Sequence, residues 1–146
     1  MCMKTRARFR TLGCSRGIAA LEFVMLAPVL LLLVFAIIVY SIYFTGLIGV
    51  RQAAAEGARA AVAGLSPAER TSLAEARARD VIDNYGSLLG GSSEPVITAE
   101  AGEVTGTFRV EVRYDMTGSP LMRYVPLVPL PSSELAASVT VTNGGY

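Results

Sequence analysis

The chain has 146 residues, of which 52% are hydrophobic and only 17% are charged, and its mean hydropathy is +0.47. Soluble domains carry about 25% charged residues, so this composition predicts a membrane segment beside one small domain. The chain has no His, which excludes histidine metal ligands and histidine acid–base chemistry. Its two cysteines, Cys2 and Cys14, leave the rest of the chain without a disulfide or a thiolate zinc site. We expect neither a metal nor a cofactor.

Charge is unevenly distributed along the chain. Residues 1–22 contain five basic side chains and one carboxylate, whereas the remainder contains eight arginines and eleven acidic residues. The larger part is therefore not expected to bind nucleic acid. The basic residues precede the apolar run, which predicts a cytoplasmic N-terminus and an exported C-terminal domain.

The apolar run from Phe23 to Phe44 has 22 residues without a charge. At about 1.5 Å per residue this is roughly 33 Å of helix, which is enough to cross the hydrocarbon core of a bilayer. A secretory signal peptide has an apolar core of about 7–15 residues, so cleavage after this run, at residues 53–55, is disfavoured. We predict a transmembrane helix over residues 18–50 and an exported domain over residues 51–146.

A processing motif stands at the start of this helix, where residues 15–23 read Ser-Arg-Gly-Ile-Ala-Ala-Leu-Glu-Phe. This resembles the cleavage motif of type IV prepilins, in which a membrane peptidase cuts after the Gly. The resemblance implies cleavage between Gly17 and Ile18, after a basic cytoplasmic leader of residues 1–17. It also implies that Glu22 pairs with the new N-terminal amine of a neighbouring subunit. The alternative reading of Glu22 is a carboxylate that stays solvated at the level of the lipid headgroups.

The resemblance becomes more specific along the helix. Residues 16–32 resemble the N-terminal block of TadE-like proteins, with Arg-Gly, small residues, Glu22-Phe23, a proline and a leucine run, and residues 53–61 resemble their Ala-rich second block with Gly-Ala-Arg. TadE-like proteins are pseudopilins, or minor pilins, of the tight-adherence (Flp) pilus system, and both the TadE and the TadF type fit. Many relatives carry a second acidic residue midway along the helix, where this chain has Ile38-Val39-Tyr40.

Pro28 lies inside the predicted membrane helix. A proline removes one backbone hydrogen bond and loosens the preceding turn, so Pro28 is a candidate kink. It is either a proline that neighbouring helices accommodate or a flexible point for transfer from the bilayer into a filament.

The exported part shows a helix followed by strands. We expect the first helix to run to about Ala63, and Ser66-Pro67-Ala68-Glu69 predicts a capping box. The second helix should end at Gly86 and bury one apolar face, composed of Leu73, Ala74, Ala78, Val81, Ile82 and Tyr85. Alternation with a period of two predicts a strand over 107–116, a shorter strand near 95–99 and a third over about 135–142. The predicted fold is α+β and pilin-like: a long N-terminal transmembrane helix that continues into a small domain with a second helix and a three-stranded antiparallel sheet.

Residues 120–131 combine four prolines with apolar side chains. The prolines exclude a regular helix or a central strand, yet the segment is too apolar for a free loop. It is either a cover over the sheet or a docking surface for the membrane interface or another pilin subunit.

These observations favour a TadE-like pseudopilin that acts in the assembly of a tight-adherence type IV pilus. The resemblance implies that its partners are a prepilin peptidase, other pilins and pseudopilins, the inner-membrane pilus platform and the lipid bilayer. The alternative is an uncleaved, single-pass, membrane-anchored binding or sensor subunit. An enzyme is not expected, because the acid pairs Asp80 with Asp83 and Glu111 with Asp115 fit solvated faces better than an active site.

Overall fold

The computed structural model describes residues 15–89 and 93–142, without the side chains of residues 15–18 and 87–89. Most of the predicted basic leader, residues 90–92 and residues 143–146 therefore lie outside the described residues. The described elements are α1 (Ser15–Ala61), α2 (Pro67–Leu89), β1 (Val96–Ala101), β2 (Thr107–Asp115), a 3-10 helix (Pro120–Tyr124) and β3 (Glu134–Thr142). A long apolar helix, a second helix and a three-stranded antiparallel sheet confirm the α+β, pilin-like prediction.

The chain divides into two compact units, Met1–Phe35 and Ala36–Tyr146. In the first unit, the described residues all belong to α1. The second unit, which we call the body, contains the C-terminal part of α1 and every other described element. Residues 36–50, which belong to the long uncharged run, are thus part of the body.

The sheet has the order β1-β2-β3, and both pairings are antiparallel. Ala99 of β1 and Val139 of β3 both stand opposite Val110, which is fully buried in the central strand. One face of β2 is buried, as its alternation predicted, through Phe108, Val110, Val112 and Tyr114, and Met116 follows them into the core. The other face carries Arg109, Glu111 and Arg113, which are half-buried or exposed.

The N-terminus of α2 has the predicted cap. The hydroxyl oxygen of Ser66 accepts a hydrogen bond from the amide of Glu69 at 3.2 Å, and the Glu69 carboxylate accepts one from the amide of Leu65 at 2.9 Å. The first bond satisfies one of the amides that lack helical acceptors at this helix end, and the second reaches back to Leu65, which precedes the cap residue Ser66.

Two predictions about α2 are wrong. The helix continues through Gly86 to Leu89, because a glycine inside a helix costs only about 1 kcal/mol and is not a stop by itself. Leu73 is 38% exposed, at the edge of the predicted apolar face, whereas Ala74, Ala78, Val81 and Ile82 are buried.

Helix α1 ends at Ala61, two residues before the predicted Ala63.

A stripe of small residues joins α1 to the rest of the body. Gly49, Ala53, Gly57 and Ala61 are all buried and recur every four residues, which places them on one face of the helix. A Cβ placed on Gly57 would lie 2.9 Å from the carbonyl oxygen of Ala74 and 3.3 Å from Cγ1 of Val110. Helix α1 therefore packs against both α2 and the sheet at a distance that admits no side chain at Gly57.

The segment 120–131, which we call the proline-rich segment, has one buried and one exposed side. Leu121 and Val128 are buried, and the hydroxyl of Tyr40 in α1 donates a hydrogen bond to the carbonyl oxygen of Pro129 at 2.6 Å. Tyr124 and Leu127 are exposed. The segment therefore covers the core through Val128 and leaves an apolar outer surface.

The turn after β2 predicts a measurable shift at Asp115. The hydroxyl and the amide of Thr117 both donate to Oδ1 of Asp115 and hold the pKa of this carboxyl below its ordinary value of 3.8. Because the pKa is lowered in the folded state, the stability that these bonds contribute is present above pH 3.8 and is lost as the pH falls through the folded value.

Thr117→Val removes the hydroxyl and should raise the pKa of Asp115 toward 3.8, while the bond from the amide keeps part of the shift. NMR titration of the Asp115 carboxyl carbon measures this pKa. Thr105→Val, in the turn between β1 and β2, is the control and should leave it unchanged. An unaltered Asp115 pKa in Thr117→Val would contradict the assignment.

Candidate functional site

Most of the exposed large apolar side chains among the described residues belong to α1. The large apolar side chains from Leu21 to Ile38 are mostly more than half exposed, and Met25 reaches 76%. Within residues 15–89 and 93–142, α1 provides one segment that is long and apolar enough to cross a membrane. A core helix of a soluble protein would bury such side chains, so their exposure supports single-pass membrane anchoring.

Glu22 is placed at the N-terminal end of this surface. It is exposed, and it is the last charged residue before the uncharged run that begins at Phe23, itself 69% exposed. None of the side chains that the structure describes, in residues 19–86 and 93–142, forms an ion pair with Glu22. A carboxylate in this position must either remain hydrated or meet a cation from outside the described residues, since an unpaired charge in lipid is costly.

Gly17 and Ile18 belong to the first turn of α1, which begins at Ser15. A helix end is held by fewer backbone hydrogen bonds than a helix interior, because the first amides have no acceptor within the helix. Opening this terminal turn to expose the Gly17–Ile18 peptide bond therefore breaks few interactions. Ile18 and Glu22 are four residues apart, which places them one turn apart on the same face of the helix.

Pro28 lies within α1, and the helix continues on both sides of it. Pro28 is six residues beyond Glu22, so the structure keeps the two on one continuous element but does not bring them together. The kink at Pro28 stays a prediction.

The Gly-Ala-Arg block is a packing element of the body. Gly57 and Ala58 are buried, whereas Arg59 is exposed and pairs with Glu56 at 2.8 Å. The second Glu56 oxygen lies 3.9 Å from Nη2 of Arg77 in α2, so this exposed pair also links the two helices. The resemblance alone indicates only an Ala-rich helix here. The repeat of small residues at 49, 53, 57 and 61 was the signal for its packing role.

Residues 38–40 are the uncharged stretch noted midway along the helix. Val39 is 2% exposed, and it is one of the first residues of α1 to be buried in the body. A carboxylate at this position would be buried without a charge partner, which is unfavourable. The apolar residue is therefore consistent with the local packing.

Most members of the acid pairs considered as catalytic candidates are engaged in local interactions. Glu111 lies between Arg109 and Arg113 in β2, with contacts of 3.3 and 2.6 Å. Asp80 pairs with Arg77 at 2.7 Å. Asp115 accepts the two hydrogen bonds from Thr117. These contacts are those of polar surfaces on the sheet and on α2.

Comparison with known proteins gives one result for the N-terminal segment. Residues 17–59 match the family model of the TadE-like proteins. No curated protein matches the chain, and no solved structure does. The matched segment begins at Gly17, contains Glu22, Phe23 and Pro28, and ends at Arg59, which excludes Ala61, the last residue of the small-residue stripe. The predicted resemblance to the TadE-like family is therefore confirmed over residues 17–59.

Proposed function

We propose that the chain is a TadE-like pseudopilin, or minor pilin, that acts in the assembly of a tight-adherence type IV pilus. The observation that carries this proposal is the TadE-like match over residues 17–59, in which the motif from Gly17 to Phe23 leads into an exposed apolar helix. In this proposal the chain is inserted in the bacterial inner membrane with its N-terminus in the cytoplasm. The helix over residues 18–50 anchors it, with the exposed part from Leu21 to Ile38 in the hydrocarbon, and residues 51–146 are exported.

The proposed maturation step is cleavage between Gly17 and Ile18 by a prepilin peptidase. The peptide bond is hydrolysed, so that Gly17 acquires a carboxylate and Ile18 an ammonium group. A glycine before the bond lets the backbone enter a narrow cleft in conformations that other residues disfavour. The product keeps the apolar helix and gains a positive charge four residues before Glu22.

Glu22 and the new ammonium group supply the proposed assembly chemistry. Two opposite charges near the end of an apolar helix compensate each other only when they meet. Docking of the Glu22 carboxylate against the ammonium group of a neighbouring pilin or pseudopilin would satisfy both. The inner-membrane pilus platform is the proposed place of this exchange, with Phe23 and the following apolar side chains in contact with lipid or with other pilin helices.

The intact mass and N-terminal residue of the membrane-extracted chain, produced with its cognate prepilin peptidase, test the proposal. We expect a product that starts at Ile18. This product should be absent when the peptidase is inactivated and strongly reduced in Gly17→Val, because a β-branched residue restricts the backbone before the scissile bond. Ala27→Val, inside the helix, is the matched control and should be processed normally.

A start at Met1 despite a peptidase that cleaves a control prepilin would overturn the proposal and favour the uncleaved, membrane-anchored binding or sensor subunit. A start near Glu56 would instead indicate a secreted domain, and the membrane anchor would then be a signal sequence.

A further inference from the structure

The first turns of the body carry an aromatic cluster at the end of the exposed apolar surface. Ile37 and Ile38 are both more than half exposed, and Tyr40 and Phe44 follow them on α1. The Phe44 ring stacks on Tyr40 with centroids 6.1 Å apart and meets Tyr43 edge-on at 5.7 Å. Aromatic residues concentrate where a membrane helix leaves the hydrocarbon, because their rings are apolar and Tyr also carries a polar group.

The proline-rich segment presents apolar side chains beside this cluster. The amides of Leu127 and Val128 both donate to the carbonyl oxygen of Tyr124 at 2.9 Å, which forms a tight turn. Val128 is 2% exposed whereas Leu127 is 63% exposed, so the turn directs one side chain into the core and the next one outward. Tyr124 is 42% exposed. An exposed Leu held in a fixed turn between prolines indicates an apolar contact outside the body.

The hydrogen bond from Tyr40 to Pro129 places both features at the same end of the body. Tyr40 comes two residues after Ile38, at the point in α1 where buried side chains (Val39, Tyr43) begin to alternate with exposed ones (Phe44, Ile48). The proline-rich segment is therefore held, through Pro129, beside the first α1 residues of the body. Arg123 is exposed and is the one charged residue in positions 120–131, which suits the phosphate groups of lipids.

We propose that the proline-rich segment is a membrane-interface contact: Leu127 and Tyr124 enter the boundary between headgroups and acyl chains, beside Tyr40 and Phe44, with Arg123 at the level of the lipid phosphates. This inference rests on the membrane anchoring in the proposed function. A lipid surface is favoured over a protein partner because the segment is continuous with the membrane helix through Tyr40. The contact would hold the body against the bilayer before the subunit leaves it.

The chain contains no Trp, so a single introduced Trp reports its own depth. We would compare Leu127→Trp with Val104→Trp in the full chain, reconstituted in phosphatidylcholine–phosphatidylglycerol vesicles. Leu127 and Val104 are 63% and 67% exposed. Val104 lies in the turn between β1 and β2, at the end of the sheet opposite to the proline-rich segment. Val29→Trp, at a position that is 68% exposed on the N-terminal part of α1, tests the anchoring itself.

Lipids brominated near the headgroup should remove roughly half of the Leu127→Trp emission, since an interfacial side chain lies about 5–10 Å into the headgroup and acyl boundary. The Val104→Trp emission should change little and should stay accessible to acrylamide in the water. The melting temperatures of both variants should match the parent chain, because both sites are exposed.

Equal quenching of Leu127→Trp and Val104→Trp would overturn the inference. Protection of Leu127→Trp from acrylamide without quenching by brominated lipid would also overturn it and assign the surface to a protein contact. Absence of quenching at Val29→Trp would mean that the anchoring has failed. Quenching at Val29→Trp but not at Leu127→Trp would refute this inference alone.

Discussion

Gly57→Leu is expected to lower the free energy of unfolding of the body by about 3 kcal/mol, the upper part of the usual range for an overpacked core. Even a Cβ at this position would meet the Ala74 carbonyl oxygen at 2.9 Å and the Ala78 Cβ at 3.1 Å. The first contact is a backbone atom of α2, which cannot rotate away as a side chain can. A leucine can be accommodated only if α1 moves away from α2 and the sheet, which opens the core around Val110.

Two alanine substitutions separate this steric effect from helix propensity. Gly86→Ala, inside α2 with open space around its Cβ, should stabilise the body by about 0.5–1 kcal/mol. Gly57→Ala gains the same propensity, but it pushes against α2, so the net effect should be a loss of about 1 kcal/mol. The same Gly→Ala substitution is therefore expected to stabilise the body at position 86 and to destabilise it at position 57.

Thermal unfolding of the full chain in detergent micelles, followed by circular dichroism, measures these effects. For a body of this size Gly57→Leu should lower the melting temperature by roughly 10 °C. Gly57→Ala should lower it by a few degrees, and Gly86→Ala should raise it slightly. A Gly57→Ala variant as stable as Gly86→Ala would show that the two helices are not in close contact at this position.

Much of the body follows from local patterns in the sequence. The alternation in residues 107–116 predicted which side chains of β2 are buried, and Ser66 with Glu69 predicted the start of α2. A strand with one buried face needs apolar and polar side chains that alternate along the chain, and a helix start needs hydrogen-bond acceptors for its first amides. Both requirements are met by residues close together in the chain, which is why the sequence shows them.

Features that depend on distant residues were not predictable in this way. The run up to Val50 has no charged residues, so polar and apolar positions do not alternate along it. The sequence therefore does not distinguish the buried Val39, Tyr43 and Val50 from the exposed Phe44 and Ile48. The hydrogen bond between Tyr40 and Pro129 joins residues 89 positions apart. Gly86 stays helical although it resembles a stop signal, since nothing around it requires a turn.

The TadE-like segment therefore combines two kinds of helix surface. From Leu21 to Ile38 its large apolar side chains are exposed, whereas the small residues at 49, 53 and 57 are buried against the body. The first surface suits lipid or the helices of other subunits, and the second packs the C-terminal part of α1 against α2 and the sheet within the body.

Glu22→Gln is expected to prevent stable incorporation into pili while it leaves membrane insertion and cleavage intact. Gln keeps the size of the side chain but removes the negative charge that would meet the ammonium group of a neighbouring subunit. Breaking one partner of a buried ion pair costs about 3–5 kcal/mol, so incorporation should fall roughly a hundred-fold or more. The amount of the chain in sheared pili, relative to its amount in the membrane, measures the effect.

Met25→Ala is the matched control, because Met25 is 76% exposed on the next turn of α1 and carries no charge. It should reduce incorporation only modestly. Normal incorporation of Glu22→Gln would contradict the pairing. It would show that assembly does not need the charge of Glu22, which would then be a hydrated carboxylate at the membrane surface.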